Sequence, residues 1–166
     1  NIMVGNILSL SRIPADMSTP QDIVTLVREA VAYSRLALQP NELLLVEDYA
    51  EHVTPIRGDR ERLLEAFINL FKNACEASPK GGTITVQTKN ISDTIEVRVT
   101  DTGIGIETDV LPHIFDAFEQ GGAIITRQFG GLGLGLTISK ALANKHGGQL
   151  IAQSEGKDKG ASFILT

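Results

Sequence analysis

Tryptophan is missing from this 166-residue chain, cysteine occurs once, and only 5% of the residues are aromatic. The lone Cys75 excludes an internal disulfide framework and fits a reducing compartment. No apolar run approaches the roughly 20 residues needed to cross a bilayer, and the N-terminus has no signal-peptide pattern. Runs of Lys or Arg are also missing. With 15 basic and 20 acidic side chains the net charge is -5, which argues against a general nucleic-acid surface; no direct membrane contact is expected either. What is present is ordinary for one soluble domain: 42% hydrophobic and 21% charged residues, enough to bury a core without cross-links. The expected setting is cytoplasmic. The chain opens on Asn1 rather than Met, which suits a piece cut from a larger protein, whether or not that parent is membrane-anchored.

Hydrophobic periodicity divides the chain. Ile2, Met3, Ile7, Leu8, Leu10 and Ile13 precede Pro14 at mixed helical spacings, as the last turns of a helix or as a frayed terminus. Thr19-Pro20 reads as the start of a helix, with Thr19 as N-cap and Pro20 at the first helical position. Its buried stripe is Ile23, Leu26, Val27, Ala30, Val31 and Ser34, and it stops near Gln39-Pro40. A strand is expected over Leu43–Tyr49 and a shorter one over Val53–Arg57. Asp59 then caps a helix running to about Ser78, with Leu63, Leu64, Phe67, Ile68, Leu70, Phe71, Ala74 and Cys75 on its apolar face. Glu65, Asn69, Asn73 and Glu76 share the opposite stripe. Asparagine is a poor helix former, so two on one stripe ask for a reason. Alternating residues predict strands over Thr83–Lys89 and Thr94–Thr100, joined through Asn90–Asp93. A short helix is expected over Leu111–Phe118, a loop over Glu119–Gly131, a helix over Leu132–Lys145 and a final hairpin over Gln149–Thr166. This order predicts a two-layer α/β (α+β) sandwich, a mixed, mainly antiparallel sheet covered on one face by helices. The glycines do not follow the first strand of a βαβ unit, which argues against a dinucleotide-binding fold.

Two glycine clusters carry the chemistry. Asp101-Thr102-Gly103-Ile104-Gly105 ends a strand; an ionised aspartate accepts hydrogen bonds and could specify adenine through its exocyclic amine. An Asp-x-Gly turn without a ligand is the plainer alternative. Gly130-Gly131-Leu132-Gly133-Leu134-Gly135 precedes a helix, where free N–H groups and the macrodipole suit phosphate. A glycine-rich flexible lid is the alternative there. Asn73 offers an amide oxygen to a hard cation such as Mg²⁺, which prefers one or two protein oxygens plus phosphate and water. A helix–loop hydrogen bond would also explain an asparagine at that position.

Taken together, Asn69-Leu-Phe-Lys-Asn73-Ala, Asp101-x-Gly-x-Gly105, Phe115-Asp-Ala-Phe118 and Gly131-x-Gly-Leu-Gly135 resemble the N box, first glycine box, F box and second glycine box of the histidine kinase ATP-binding domain (the Bergerat fold). The resemblance runs from about Thr19 to the end, and Leu8–Ile13 resembles the end of the kinases' phosphoacceptor helices. It implies residues 1–16 as a remnant of that domain and its linker, and 17–166 as the catalytic domain. It implies ATP and Mg²⁺ as cofactors, with Asn73 on Mg²⁺ and Asn69 at phosphate or a metal-bound water. Asp101 would bind the adenine amine, helped through water by Ser162. Gly103, Gly105, Ile106 and Phe118 would line the nucleotide, and Gly131, Leu132, Gly133, Leu134 and Gly135 would hold phosphates. The implied partners are the dimerisation domain carrying the phosphoacceptor histidine and a response regulator.

Three departures qualify the resemblance. Asn69 stands where related ATPases carry a glutamate base, so phosphoryl transfer is favoured over hydrolysis. Glu76 stands where many kinases carry Lys or Arg, and Arg127 is the expected substitute, with a solvated loop arginine as the plain alternative. Leu132 replaces a frequent threonine. None of His52, His113 or His146 lies in a phosphoacceptor context, so the chain alone is not expected to phosphorylate itself. An ATPase or serine kinase of the same superfamily, and a nucleotide-sensing module, are the competing readings.

Overall fold

The computed structural model describes residues 19–116 and 135–166. The chain begins there with a short strand, β1 (Pro20–Gln21), which pairs antiparallel with β3 (Ile56–Arg57). Thr19 was expected to cap the first helix; Asp22 does so instead, its carboxylate accepting from the Thr25 backbone N–H at 3.2 Å. Proline suits the first residue of a strand as well as the first turn of a helix, and pairing with a segment 36 residues away decided between them. Helix α1 (Ile23–Ser34) buries the anticipated stripe, and a 3₁₀ turn over Arg35–Leu38 finishes it. Asp59 caps helix α2 (Arg60–Ala77) as expected, accepting from Arg62 N–H at 3.2 Å.

Strand β2 (Leu44–Asp48) runs parallel to β4 (Thr83–Ile91), while β4 with β5 (Thr94–Asp101), β5 with β7 (Ala161–Leu165) and β6 (Leu150–Gln153) with β7 are antiparallel. The resulting order is β2-β4-β5-β7-β6. The β4–β5 turn is tighter than the alternation suggested: Ile91 pairs with Thr94, leaving Ser92-Asp93, with Ser92 at φ 53°. Helix α2 packs between α1 and α3 (Gly135–Lys145) and lies on β5. Its Leu63, Phe67, Leu70, Phe71 and Ala74 meet Ile84, Val86, Val97 and Val99 in the main core. Its Ala66 turns away to join Ile138 and Leu142 of α3. The mixed, mainly antiparallel sheet with helices on one face is therefore the architecture observed.

A second joint ties α3 to the start of α2. His146 follows α3; its Nδ1 donates to Leu142 O at 2.8 Å, and its Nε2 accepts from Asp59 N–H at 3.1 Å. Both ring nitrogens are thus used structurally. His52 lies in the loop after β2, and His113 sits in an exposed 3₁₀ turn over Leu111–His113.

Candidate functional site

Pairing of β5 with both β4 and β7 fixes the end of β5, where Asp101 stands opposite Ile84 on one side and Ala161 on the other. Strand alternation turns its side chain to the helix-covered face, and it is only 3% exposed. Its Oδ1 accepts from Gly103 N–H at 2.8 Å. Its Oδ2 is buried and has no partner among the described residues. Burial raises the carboxyl above its usual range, opposed by the backbone N–H groups of Gly103 and Ala161. A buried, unsatisfied acceptor is costly, and this one lies beside the first glycine cluster.

The loop after Asp101 is held from two sides. Ile104 N–H donates to Ala77 O at the end of α2 (3.0 Å), and Ile104 O accepts from Asp158 N–H (2.7 Å). Gly160 N–H donates to Gly103 O at 3.0 Å. Ser154 Oγ accepts from Ile106 N–H at 2.9 Å while donating to Gly160 O at 2.7 Å. These bonds leave no room for side chains at the two glycines. A Cβ at Gly103 would overlap the Ala77 carbonyl, and one at Gly105, at φ +68°, would meet the Gly156 carbonyl still more closely.

Asn69 and Asn73 project from the half-buried arc of α2 that leads away from this loop. Gly135, the first residue of α3, stands against Asn69: a Cβ there would lie 3.8 Å from Asn69 Cγ. The asparagine helix and the end of the second glycine cluster are therefore adjacent. Among the described residues no group of three or more His, Cys, Asp or Glu could hold a metal. A cation here would need ligand oxygens from elsewhere, which the amide of Asn73 complements. Two ion pairs lie on the same side of α2, Arg62–Glu65 at 3.2 Å and Lys72–Glu76 at 3.6 Å.

The first two turns of α3 also hold the segment around Phe115. Thr137 Oγ1 donates to Phe115 O at 2.9 Å, and Lys140 Nζ lies 4.6 Å from the centre of the Phe115 ring. Phe115 itself is packed against the core.

Of the residues expected from sequence, Asp101, Gly103, Gly105 and Ile106 come together at one end of α2, and Asn69 and Gly135 farther along it. Ser162 does not join them. Its hydroxyl bonds that of Thr100 at 2.8 Å, and Thr100 faces the opposite side of the sheet from its neighbour Asp101. The side of β7 that faces Asp101 presents Ala161 instead. Phe118, Arg127, Gly131, Leu132, Gly133 and Leu134 lie outside the described residues. One residue escaped the sequence reading. Ser154 carries no motif, and only the fold shows that it braces the loop.

The fold has known relatives. Residues 58–166 match the profile of the histidine kinase-, DNA gyrase B- and HSP90-like ATPases. The sensor-like histidine kinase SenX3 of Mycolicibacterium smegmatis is 32% identical over 168 residues, covering 99% of this chain. The chain spans 43% of that relative's length. Among solved structures, full-length ShkA in complex with AMPPNP superposes with a TM-score of 0.80 at 25% identity, covering 98% of this chain and 33% of ShkA. Histidine kinase ThkA in complex with the response regulator TrrA gives 0.76 at 23% identity, covering 99% of this chain and 45% of that one. The chain belongs to the histidine kinase-, DNA gyrase B- and HSP90-like ATPase family, and its fold is that of histidine kinase catalytic domains.

Proposed function

We propose that this chain is the ATP-binding catalytic domain of a two-component sensor histidine kinase, passing the γ-phosphoryl of Mg²⁺-ATP to a histidine on a separate dimerisation domain. The observation that carries this reading is the orphaned Oδ2 of Asp101, a buried acceptor beside a hydrogen-bonded loop at the end of α2, the helix whose Asn69 abuts Gly135. Asp101 Oδ2 accepts from the adenine amine, and the Gly103–Ile106 backbone passes against the ring. Asn69 and Asn73 hold the phosphate end, Asn73 as the protein's oxygen ligand to Mg²⁺. When bound, Mg²⁺ neutralises phosphate charge and orients the γ-phosphoryl for in-line transfer. The chain's own share is positioning and electrostatics. Gly131 to Gly135 supply backbone N–H donors, and Arg127 supplies the cation that Glu76 does not. A response regulator is the expected recipient of the phosphoryl group afterwards, by analogy with the ThkA–TrrA assembly.

The test is reconstitution. The chain should bind Mg²⁺-ATP by calorimetry and phosphorylate a separately supplied dimerisation domain of its parent kinase, with little multiple-turnover phosphate release. Asp101→Asn should weaken binding by about 10- to 100-fold, the worth of one hydrogen bond to a charged acceptor. Rapid steady-state hydrolysis without phosphotransfer would refute the kinase assignment. One feature favours transfer over hydrolysis beforehand: the amide of Asn69 cannot take a proton from water.

A further inference from the structure

Helix α2 presents more than its two asparagines to the phosphate half of the site. At about 100° per residue, with Asn69 as origin, Asn73 falls near +40°, Glu76 near -20° and Lys72 near -60°. All four share one arc, opposite the buried face formed by Leu63, Phe67, Leu70 and Ala74. Along the axis the order is equally defined. Asn69 abuts Gly135, and the carbonyl of Ala77, one residue past Glu76, holds the Asp101 loop through Ile104. Lys72 is thus about 4.5 Å from the Asn69 level and about 7.5 Å from the Ala77 level, at 1.5 Å per residue. It stands in the half of the helix that faces phosphate rather than base.

The charges on this arc need an account. A polyphosphate approaching it meets two carboxylates, Glu65 and Glu76, and each is covered by a basic side chain of the same helix. The Lys72–Glu76 pair is long, at 3.6 Å, and its side chains are 63% and 36% exposed. Such exposed pairs hold their partners weakly. A phosphate oxygen carrying more charge than one carboxylate is a stronger partner for an ammonium.

We propose that Lys72 is a phosphate-contacting residue of this site, and that Glu76 is its counter-ion at rest, exchanged for the terminal phosphates when Mg²⁺-ATP arrives. The exchange keeps the ammonium paired in both states and moves only a flexible side chain. Glu76 then remains as a lone acidic group near the polyanion, so it lowers affinity while keeping Lys72 on the correct arc in the empty site. This rests on the reading of the site as nucleotide-binding.

The test is calorimetric titration of the whole chain with Mg²⁺-ATP and, separately, with adenosine, together with a thermal melt of each variant. Lys72→Ala should weaken Mg²⁺-ATP about five- to tenfold and leave adenosine unchanged. Lys72→Arg should stay within about twofold of the parent. Glu76→Gln should tighten Mg²⁺-ATP about two- to threefold, through loss of a competing charge. A pair that served only the helix surface would lower the melting temperature equally in Lys72→Ala and Glu76→Gln and leave ATP affinity untouched; that result overturns the proposal. Asp101→Asn separates the two levels of inference. If the parent binds ATP, Asp101→Asn loses it and Lys72→Ala does not, the proposal for Lys72 fails alone. If the parent binds no nucleotide, both fail.

Discussion

Under the proposed function, two demands on Asp101 oppose each other. Selectivity for an amine donor calls for an ionised carboxylate, whereas burial disfavours the charge and raises the carboxyl above its usual value of 3.8. Between 3.8 and the raised value the folded state binds more protons than the unfolded one. Stability contributed by this group therefore falls as pH rises through that window, and the penalty is complete above it. Denaturant melts across a pH series should show that slope in the parent and lose it in Asp101→Asn, which should also be no less stable than the parent near neutrality. ATP affinity should move the other way, dropping as pH falls into the same window. Asp101 was legible in the sequence because its strand, its glycines and its charge coincide. Ser162 was misplaced for a reason of the same scale. In a strand a shift of one residue changes the face, and parity counted from the buried Phe163 would have assigned the inner position to Ala161.

At the scale of elements, the start of α2 and the end of α3 are joined by one imidazole. Replacing His146 with Ala removes an acceptor from Asp59 N–H and a donor from Leu142 O. It should cost about 1–3 kcal/mol, read by denaturation, without changing nucleotide selectivity. Gly103→Ala should do the reverse in kind. Its Cβ would strike the Ala77 carbonyl that anchors Ile104, displacing the loop at a cost of about 2–3 kcal/mol and abolishing ATP binding even where the domain stays folded. Helix α2 was readable nearly in full, from its Asp59 cap to the Ser78-Pro79 stop, because caps and periodicity are local signals. β1 was not, because its partner β3 lies across α1 and β2 in sequence. The bracing of the Gly103–Ile106 loop by Ser154 was hidden for the same reason: the two are brought together only by the β5–β7–β6 order.

Across the whole molecule, a ligand that binds only the folded state stabilises all of it. At 100 times its dissociation constant Mg²⁺-ATP should add about 2.7 kcal/mol, raising the melting midpoint by roughly 5–11 °C in a chain of this size. A scan with Mg²⁺-ATP against Mg²⁺ alone measures this, and Asp101→Asn should remove about half of the shift or more. The Thr137–Phe115 clasp couples two parts of the chain that are 22 residues apart in sequence. By tying the first turn of α3 to the segment after the Leu111–His113 turn, it makes local opening of one a loss for the other, so the two belong to one cooperative unit of opening.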